Sequence, residues 1–392
     1  MAKLNDERLM SLDIIRGISI LGIFLVNMMS FHSPLLYIDP LTWWDEPLEK
    51  ATYIFIDVFA QASFYPLFSL LFGYSLILIR EKSQSRGLNF PVLAVRRLFM
   101  LLMIGIFHAF FVWHGDILIE YALLGFLVLP MLVFSGRTLL LFGTGLYGIP
   151  TILLVFLLMF TSSGSQMLPS ELTDIQAVEQ SLVVYQSGTF WEITTQRVSD
   201  WYFTNNLGNL PFFLISIYPF MLIGAGVAKE SWLIRTRQYK HEILILCCLT
   251  FVVGLIVKLL PYWLEGNAAV QFAQDSIGGF SLTIFYGLWI VLLVEKESLR
   301  RWLAPFAAIG KMSLSNYLFQ SVIATLIFYS YGLGLYGEIS LFEGALLVLA
   351  IFVVQLLCSS LWLRRFSYGP VEWLWRLVTY VKFVKLRKST EK

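Results

Sequence analysis

A histidine set among carboxylates in an apolar chain is the equipment of proton transfer. His108 lies inside an apolar run. His114 and Asp116 follow it closely, and Glu120 stands one helical turn beyond Asp116. Two of the chain's four histidines therefore fall in one short stretch. In an acid–base site His108 is the candidate general base or acyl carrier, with Asp116 or Asp57 to orient its imidazole. His114 and Glu120 are further candidates. The spacing matches no metal-binding motif, so no metal is expected. The structural alternative is a histidine hydrogen-bonded to a neighbouring helix, and for His114 a turn residue.

A second set lies near the N-terminus. Asp13 and Arg16 are three residues apart, so on a helix they share a face and can pair. Asn27 is eleven residues beyond Arg16, about three turns, and returns to that face. Such a stripe suits substrate or cofactor binding at Asp13 and Arg16, with the phosphate contact at Arg16, and an oxyanion donor at Asn27. It equally suits an ion pair and an interhelical hydrogen bond. A third set is Lys311, Asn316 and Gln320, with Ser313, near one face of a later helix. Lys311 can meet a phosphate, while Asn316 and Gln320 can bind a ligand or pack helices.

These residues need elements that hold polar groups in an apolar setting. Of the 392 residues, 58% are hydrophobic and 14% charged, with a mean hydropathy of +0.73. Soluble domains carry about 25% charged residues. The chain therefore reads as an all-α, polytopic helix bundle with the lipid bilayer as its solvent. Ionisable groups inside such a bundle face the protein interior or a water-filled path, and are functional candidates by default. The cysteines, Cys247, Cys248 and Cys358, lie in apolar runs without a ligand spacing and read as small hydrophobes. No phosphate-binding loop or nucleic-acid module is present.

Ten spans are expected in one membrane domain: 12–31, 54–79, 98–113, 117–134, 138–160, 207–228, 243–264, 277–294, 313–333 and 341–363. The first is read as a retained helix rather than a cleaved signal, since it is long and carries Arg16. Residues 161–206 form the longest extramembrane stretch, rich in acidic residues such as Glu171, Asp174, Glu179, Glu192 and Asp200. Lys258 and Pro261 interrupt the seventh span, with Lys258 snorkelling outward. With both termini in the cytoplasm, nearly all Lys and Arg outside the spans fall on inner segments, Lys50 and Arg197 excepted. Arg235 and Arg237, among others, belong to that inner set. The tail, 364–392, alternates aromatic and basic residues and is expected along the inner membrane surface.

Five segments carry a resemblance. "LDIIRGISILGIFLVNMMSF" (12–31), "FYPLFSLLFGYS" (64–75), "GDILIEYALLG" (115–125), "GKMSLSNYLFQS" (310–321) and "YGPVEWLWR" (368–376) resemble, in order, the YeiB family of bacterial membrane proteins. That family is distantly similar to transmembrane acyltransferases, including the lysosomal heparan-glucosaminide N-acetyltransferase. The shared features are the Asp-x-x-Arg-Gly opening at Asp13 to Gly17 and the asparagine at position 27. The resemblance implies an acyl-CoA donor, such as acetyl-CoA, on the cytoplasmic side. It implies a small-molecule or glycan acceptor on the other, in a bacterial plasma membrane. Related bacterial enzymes place a histidine eleven residues after the arginine. Here Asn27 stands at that position, so His108 becomes the candidate.

Two functions follow as expectations. One is an acyltransferase, with Arg16 and Lys311 toward the CoA phosphates. The other is a transporter or exporter of a small molecule, which ten helices with midplane polar groups also suit. Nucleic acid is not an expected partner. An oligomer is compatible with everything above.

Overall fold

An apolar chain in lipid must satisfy its own backbone, and helices do so within each segment. The computed structural model of this protein describes residues 2–161, 173–234, 236, 238–264 and 267–388. Glu171, Arg235, Arg237 and Lys392, and the first part of the expected loop, 162–172, lie outside them. The described residues are helical, with no strand beyond one isolated bridge between Phe366 and Arg387.

The helices are α1 (Ala2–His32), α2 (Pro47–Phe59), α3 (Phe64–Gln84), α4 (Phe90–Phe111), α5 (Leu118–Met131) and α6 (Gly136–Thr161). In and after the acidic stretch come α7 (Ile175–Ser187), α8 (Phe190–Asn205), α9 (Leu210–Ser216), α10 (Tyr218–Lys229), α11 (Lys240–Trp263) and α12 (Ala268–Ala273). A π-helical turn, Gln274–Gly278, leads into α13 (Gly279–Val294), α14 (Glu297–Lys311), α15 (Ser313–Phe328), α16 (Leu341–Arg365) and α17 (Pro370–Tyr380). Eight segments among the described residues are long and apolar enough to cross a membrane, and α5 and α15 are shorter apolar helices. Each overlaps one of the expected stretches, and Pro47–Gln84 and Phe190–Lys229 extend well beyond theirs. This is an all-α, multi-pass membrane protein. Its outward faces on α6, α11 and α16 present Leu141, Phe156, Leu249, Val252, Val353 and Leu357, the surface lipid would cover.

The polar arrangement differs from expectation in four places. The second span is broken: α2 ends at Phe59, and α3 starts at Phe64 after a turn in which Ala62 takes a left-handed φ of 55°. The break is tolerated because α13 satisfies the freed carbonyls. Thr283 donates to the Ser63 carbonyl at 2.7 Å and Tyr286 to that of Phe59 at 2.8 Å. The sixth span is also broken, into α9 and α10 around Ile217. The acidic stretch is not a plain loop. α7 and α8 occupy it, and the Thr189–Glu192 capping box starts α8.

The fourth difference is Lys258. It does not snorkel: its side chain is fully buried and its ammonium pairs with Asp275 at 2.8 Å. Nor is its helix interrupted, since α11 runs through Pro261 to Trp263.

α1 is the central post. It packs on α14, α15, α16 and α3. In sequence α14 reads as an inner segment between the spans 277–294 and 313–333, by the basic residues Lys296, Arg300, Arg301 and Lys311. Its second half instead lies against α1, where Gly17 meets the Phe306 carbonyl and Gly310 meets the Asp13 carbonyl. The basic helix ends gather at one end of the bundle: Arg80 and Lys229 both donate to the Leu132 carbonyl.

Candidate functional site

The five sequence segments meet in space, at two levels along α1. At the basic end, Arg16 donates to Asp13 and to the Ser75 hydroxyl, each at 2.7 Å. This joins the first segment to the second. The fourth and fifth join at the start of α15. There the Ser315 amide donates to Glu372 at 3.0 Å, and the Ser315 hydroxyl donates to the other carboxylate oxygen. A carboxylate at a helix N-terminus is stabilised by the unpaired amides and the helix dipole. Burial pushes the Glu372 carboxyl above its ordinary range, against the pull of these bonds.

Gly369 leaves room for this contact, because a Cβ there would meet Ser315 and Glu372. The tail helix α17 therefore docks onto the bundle. Trp375 lies under the Arg97 guanidinium, 3.5 Å from it to the ring centre, and donates to the Arg97 carbonyl at 2.7 Å. Trp375→Ala removes both contacts and leaves a cavity, a loss of about 3 kcal/mol or more. The expected result is release of α17, read as faster tryptic cleavage after Arg376. A cleavage rate equal to the wild type would show that Trp375 does not hold the tail.

Eleven residues up α1 from Arg16, about 16 Å along its axis, Asn27 faces a cavity of about 280 Å³. Its polar wall is Asn27, Gln61, His114, Asp116 and Glu120, with Thr204 and Asn205 at one side. Phe64, Tyr65 and Tyr317 are its aromatic lining residues. The break in the second span lines this cavity at Ala60–Ala62, while the sixth span reaches it only through Phe213 on α9. Irregular backbone at membrane depth is expected where it lines such a space.

Asp116 links the cavity wall to His108. Its Oδ1 lies 2.7 Å from the His108 Nδ1, and its Oδ2 accepts from the Ile119 amide at 2.9 Å, capping α5. Both side chains of the pair are fully buried. His108 does not itself line the cavity. Its Nε2 is buried without a partner, and its ring lies 5.2 Å from that of Tyr317. His114 lies on the wall, with Nε2 3.2 Å from the Ser30 hydroxyl and Nδ1 3.7 Å from Asp200. Burial pushes its imidazole below the ordinary value, against the pull of Asp200. Asp200 also accepts from Tyr37, Tyr185 and Gln196, each at 2.7 Å, tying α7 and α8 to the cavity. Glu120 keeps one buried carboxylate oxygen, Oε2, without a partner, and Gln61 keeps its Oε1 so.

Other candidates lie elsewhere. Asp57 orients no histidine: its Oδ2 accepts from Tyr262 and Gln274, in a separate cluster near Lys258 and Asp275. Asn316 and Gln320 are spent on helix packing. Asn316 bonds Ser359 at 3.1 Å and Gln320 bonds Gln355 at 2.8 Å, both across to α16. Lys311 is exposed at the basic end, near Asp13. No group of three or more His, Cys, Asp or Glu that could hold a metal occurs among the described residues. Sequence reasoning passed over Tyr185, Tyr317 and Ser30. Tyr317 lies inside the fourth segment and Ser30 inside the first, which was a signal; Tyr185 carries none.

The chain is 35% identical to the uncharacterized protein YxaH of Bacillus subtilis (strain 168), over 99% of this chain and 98% of that one. It is 29% identical to the uncharacterized protein YeiB of Escherichia coli (strain K12), over 95% and 96%. This protein belongs to the YeiB family. An uncharacterized 39.9 kDa protein of Bacillus acidopullulyticus, from the amylase 3' region, matches at 28% identity over 96% and 94%. The family described as protein of unknown function (DUF418) matches residues 227–382. That stretch runs from the end of α10 through α17. It contains the Ser315–Glu372 junction but not the cavity's carboxylates, which the YeiB-family resemblance covers through the third segment.

Proposed function

We propose that this YeiB-family protein is an acyltransferase of the bacterial plasma membrane, with its basic end in the cytoplasm. It moves an acyl group from acyl-CoA to a small-molecule or glycan acceptor on the other side. The observation that carries this reading is the buried His108–Asp116 pair set directly behind a polar cavity. Arg16, Lys311 and Arg97, at the basic end, would meet the CoA phosphates. The acyl-pantetheine arm would run along the polar stripe of α1 toward Asn27.

The acceptor's oxygen or nitrogen attacks the thioester carbonyl. Its proton passes to the Asp116–His108 pair, which holds one proton between Oδ1 and Nδ1. Asn27 donates to the oxyanion. As the carbon–sulfur bond breaks, the pair returns the proton to the CoA thiolate, so the products are acylated acceptor and free CoA. The protein in nanodiscs with acetyl-CoA should release free CoA. Arg16→Ala should raise the acetyl-CoA KM, and His108→Ala should lower kcat by about 10²-fold or more. Full activity of the folded His108→Ala variant would remove the central claim.

A second reading, a transporter, is favoured by the broken second span, whose turn lines the cavity. Discontinuous helices at a midplane site are the usual build of secondary transporters. Substrate movement in proteoliposomes lacking acyl-CoA, with no CoA release in any condition, would select it.

A further inference from the structure

We infer that the cavity takes a neutral or cationic ligand rich in hydrogen-bond donors, a sugar-sized polyol or amino-polyol, and rejects carboxylates, phosphates and sulfates. This rests on the reading of the cavity as the acceptor site, and it fixes the acceptor's charge and polarity.

Three observations carry it. First, two buried acceptor oxygens on the wall have no partner. Glu120 is 7% exposed, on the first turn of α5, and its Oε2 has no partner. The Gln61 Oε1, on the break between α2 and α3, has none either. A buried acceptor left unpaired costs about 1–3 kcal/mol, which a ligand hydroxyl or amine recovers. The Asp116 oxygens are already engaged by His108 and the Ile119 amide, so they leave Glu120 and Gln61 as the unmet pair.

Second, the lining holds two carboxylates, Asp116 and Glu120, and no Lys or Arg. A ligand anion would leave water with no cation beside it to offset the cost. Arg16 and Arg97 lie at the other level of α1. Third, Phe64, Tyr65 and Tyr317 line the cavity, and aromatic rings suit the C–H face of a sugar ring or an ammonium group. The volume, about 280 Å³, corresponds to roughly nine waters at liquid density, enough for a single ring.

The test is binding to the full chain in nanodiscs without acyl-CoA, at matched ionic strength. The probes are galactose, galactosamine, galacturonate and galactose 6-phosphate. Galactose and galactosamine should bind, and the two anions should bind at least tenfold more weakly. Glu120→Gln should weaken galactosamine at least tenfold, and Gln61→Leu should weaken both neutral and cationic probes, with unchanged melting of the unliganded protein. Equal or tighter binding of either anion would overturn the proposal. So would binding unchanged in both variants, or no binding of any of the four. Free CoA release is measured separately. Sugar binding without CoA release would sink acyl transfer and keep the ligand class. CoA release onto an anionic acceptor alone would do the reverse.

Discussion

Asp116→Asn should leave a folded protein that has lost nearly all CoA release. The side chain bridges two structures. Its Oδ1 meets the His108 Nδ1, and its Oδ2 caps the first turn of α5. Asparagine keeps the shape. Its oxygen can still accept from the Ile119 amide, and its NH₂ can meet an imidazole nitrogen that carries no proton. What it cannot do is hold the acceptor's proton. A general acid–base group contributes typically 10²–10⁴-fold, so a fall of about that size in kcat is expected. Asp116→Ala should also destabilise. It leaves a buried imidazole nitrogen unpaired, about 1–3 kcal/mol, and removes a cap, about 1 kcal/mol. Comparing the melting of the two variants separates the chemical loss from the structural one. If Asp116→Asn turns over like the wild type, the pair is a structural hydrogen bond and the catalytic role falls.

His108 and Asp116 were legible in the sequence because both the residue types and the short separation across a turn are local properties. The Asp13–Arg16 pair was legible for the same reason, three residues being one helical turn. The spans were legible because apolar length is a matter of composition. What depended on distant partners was not. Nothing in Ala60, Gln61, Ala62 and Ser63 marks a break, since it is permitted by Thr283 and Tyr286 from α13. Lys258 looks like a snorkelling residue until Asp275 arrives from the π-helical turn beside it. Asn316 and Gln320 fall on one face, as their spacing requires. Only the position of Ser359 and Gln355 on α16 decides that the face is a helix contact. α14 hid behind its charged first turns, and its partner, Gly17 on α1, is nearly three hundred residues away.

That α1–α14 contact is where a single methyl group should do most harm. Gly17→Ala would press a Cβ into the Phe306 carbonyl, and Gly310→Ala would press one into the Asp13 carbonyl. In both cases the obstacle is backbone, which has no rotamer to give way, so the helices must separate. Overpacking of this kind costs about 1–3 kcal/mol, and both variants should melt several degrees below the wild type. The two substitutions strain one interface, so their effects should combine to less than their sum: once the first has parted the helices, the second has room. Gly148→Ala on α6 is the control. A Cβ there meets nothing within 4 Å, so it should be neutral or gain about 0.5–1 kcal/mol from helix propensity. Arg16 adjoins Gly17 and Lys311 adjoins Gly310. Parting the helices should therefore also raise the acetyl-CoA KM, with less effect on sugar binding at the cavity, about 16 Å along α1. Melting temperatures equal to the wild type in both variants would mean that α14 does not seat against α1 as described.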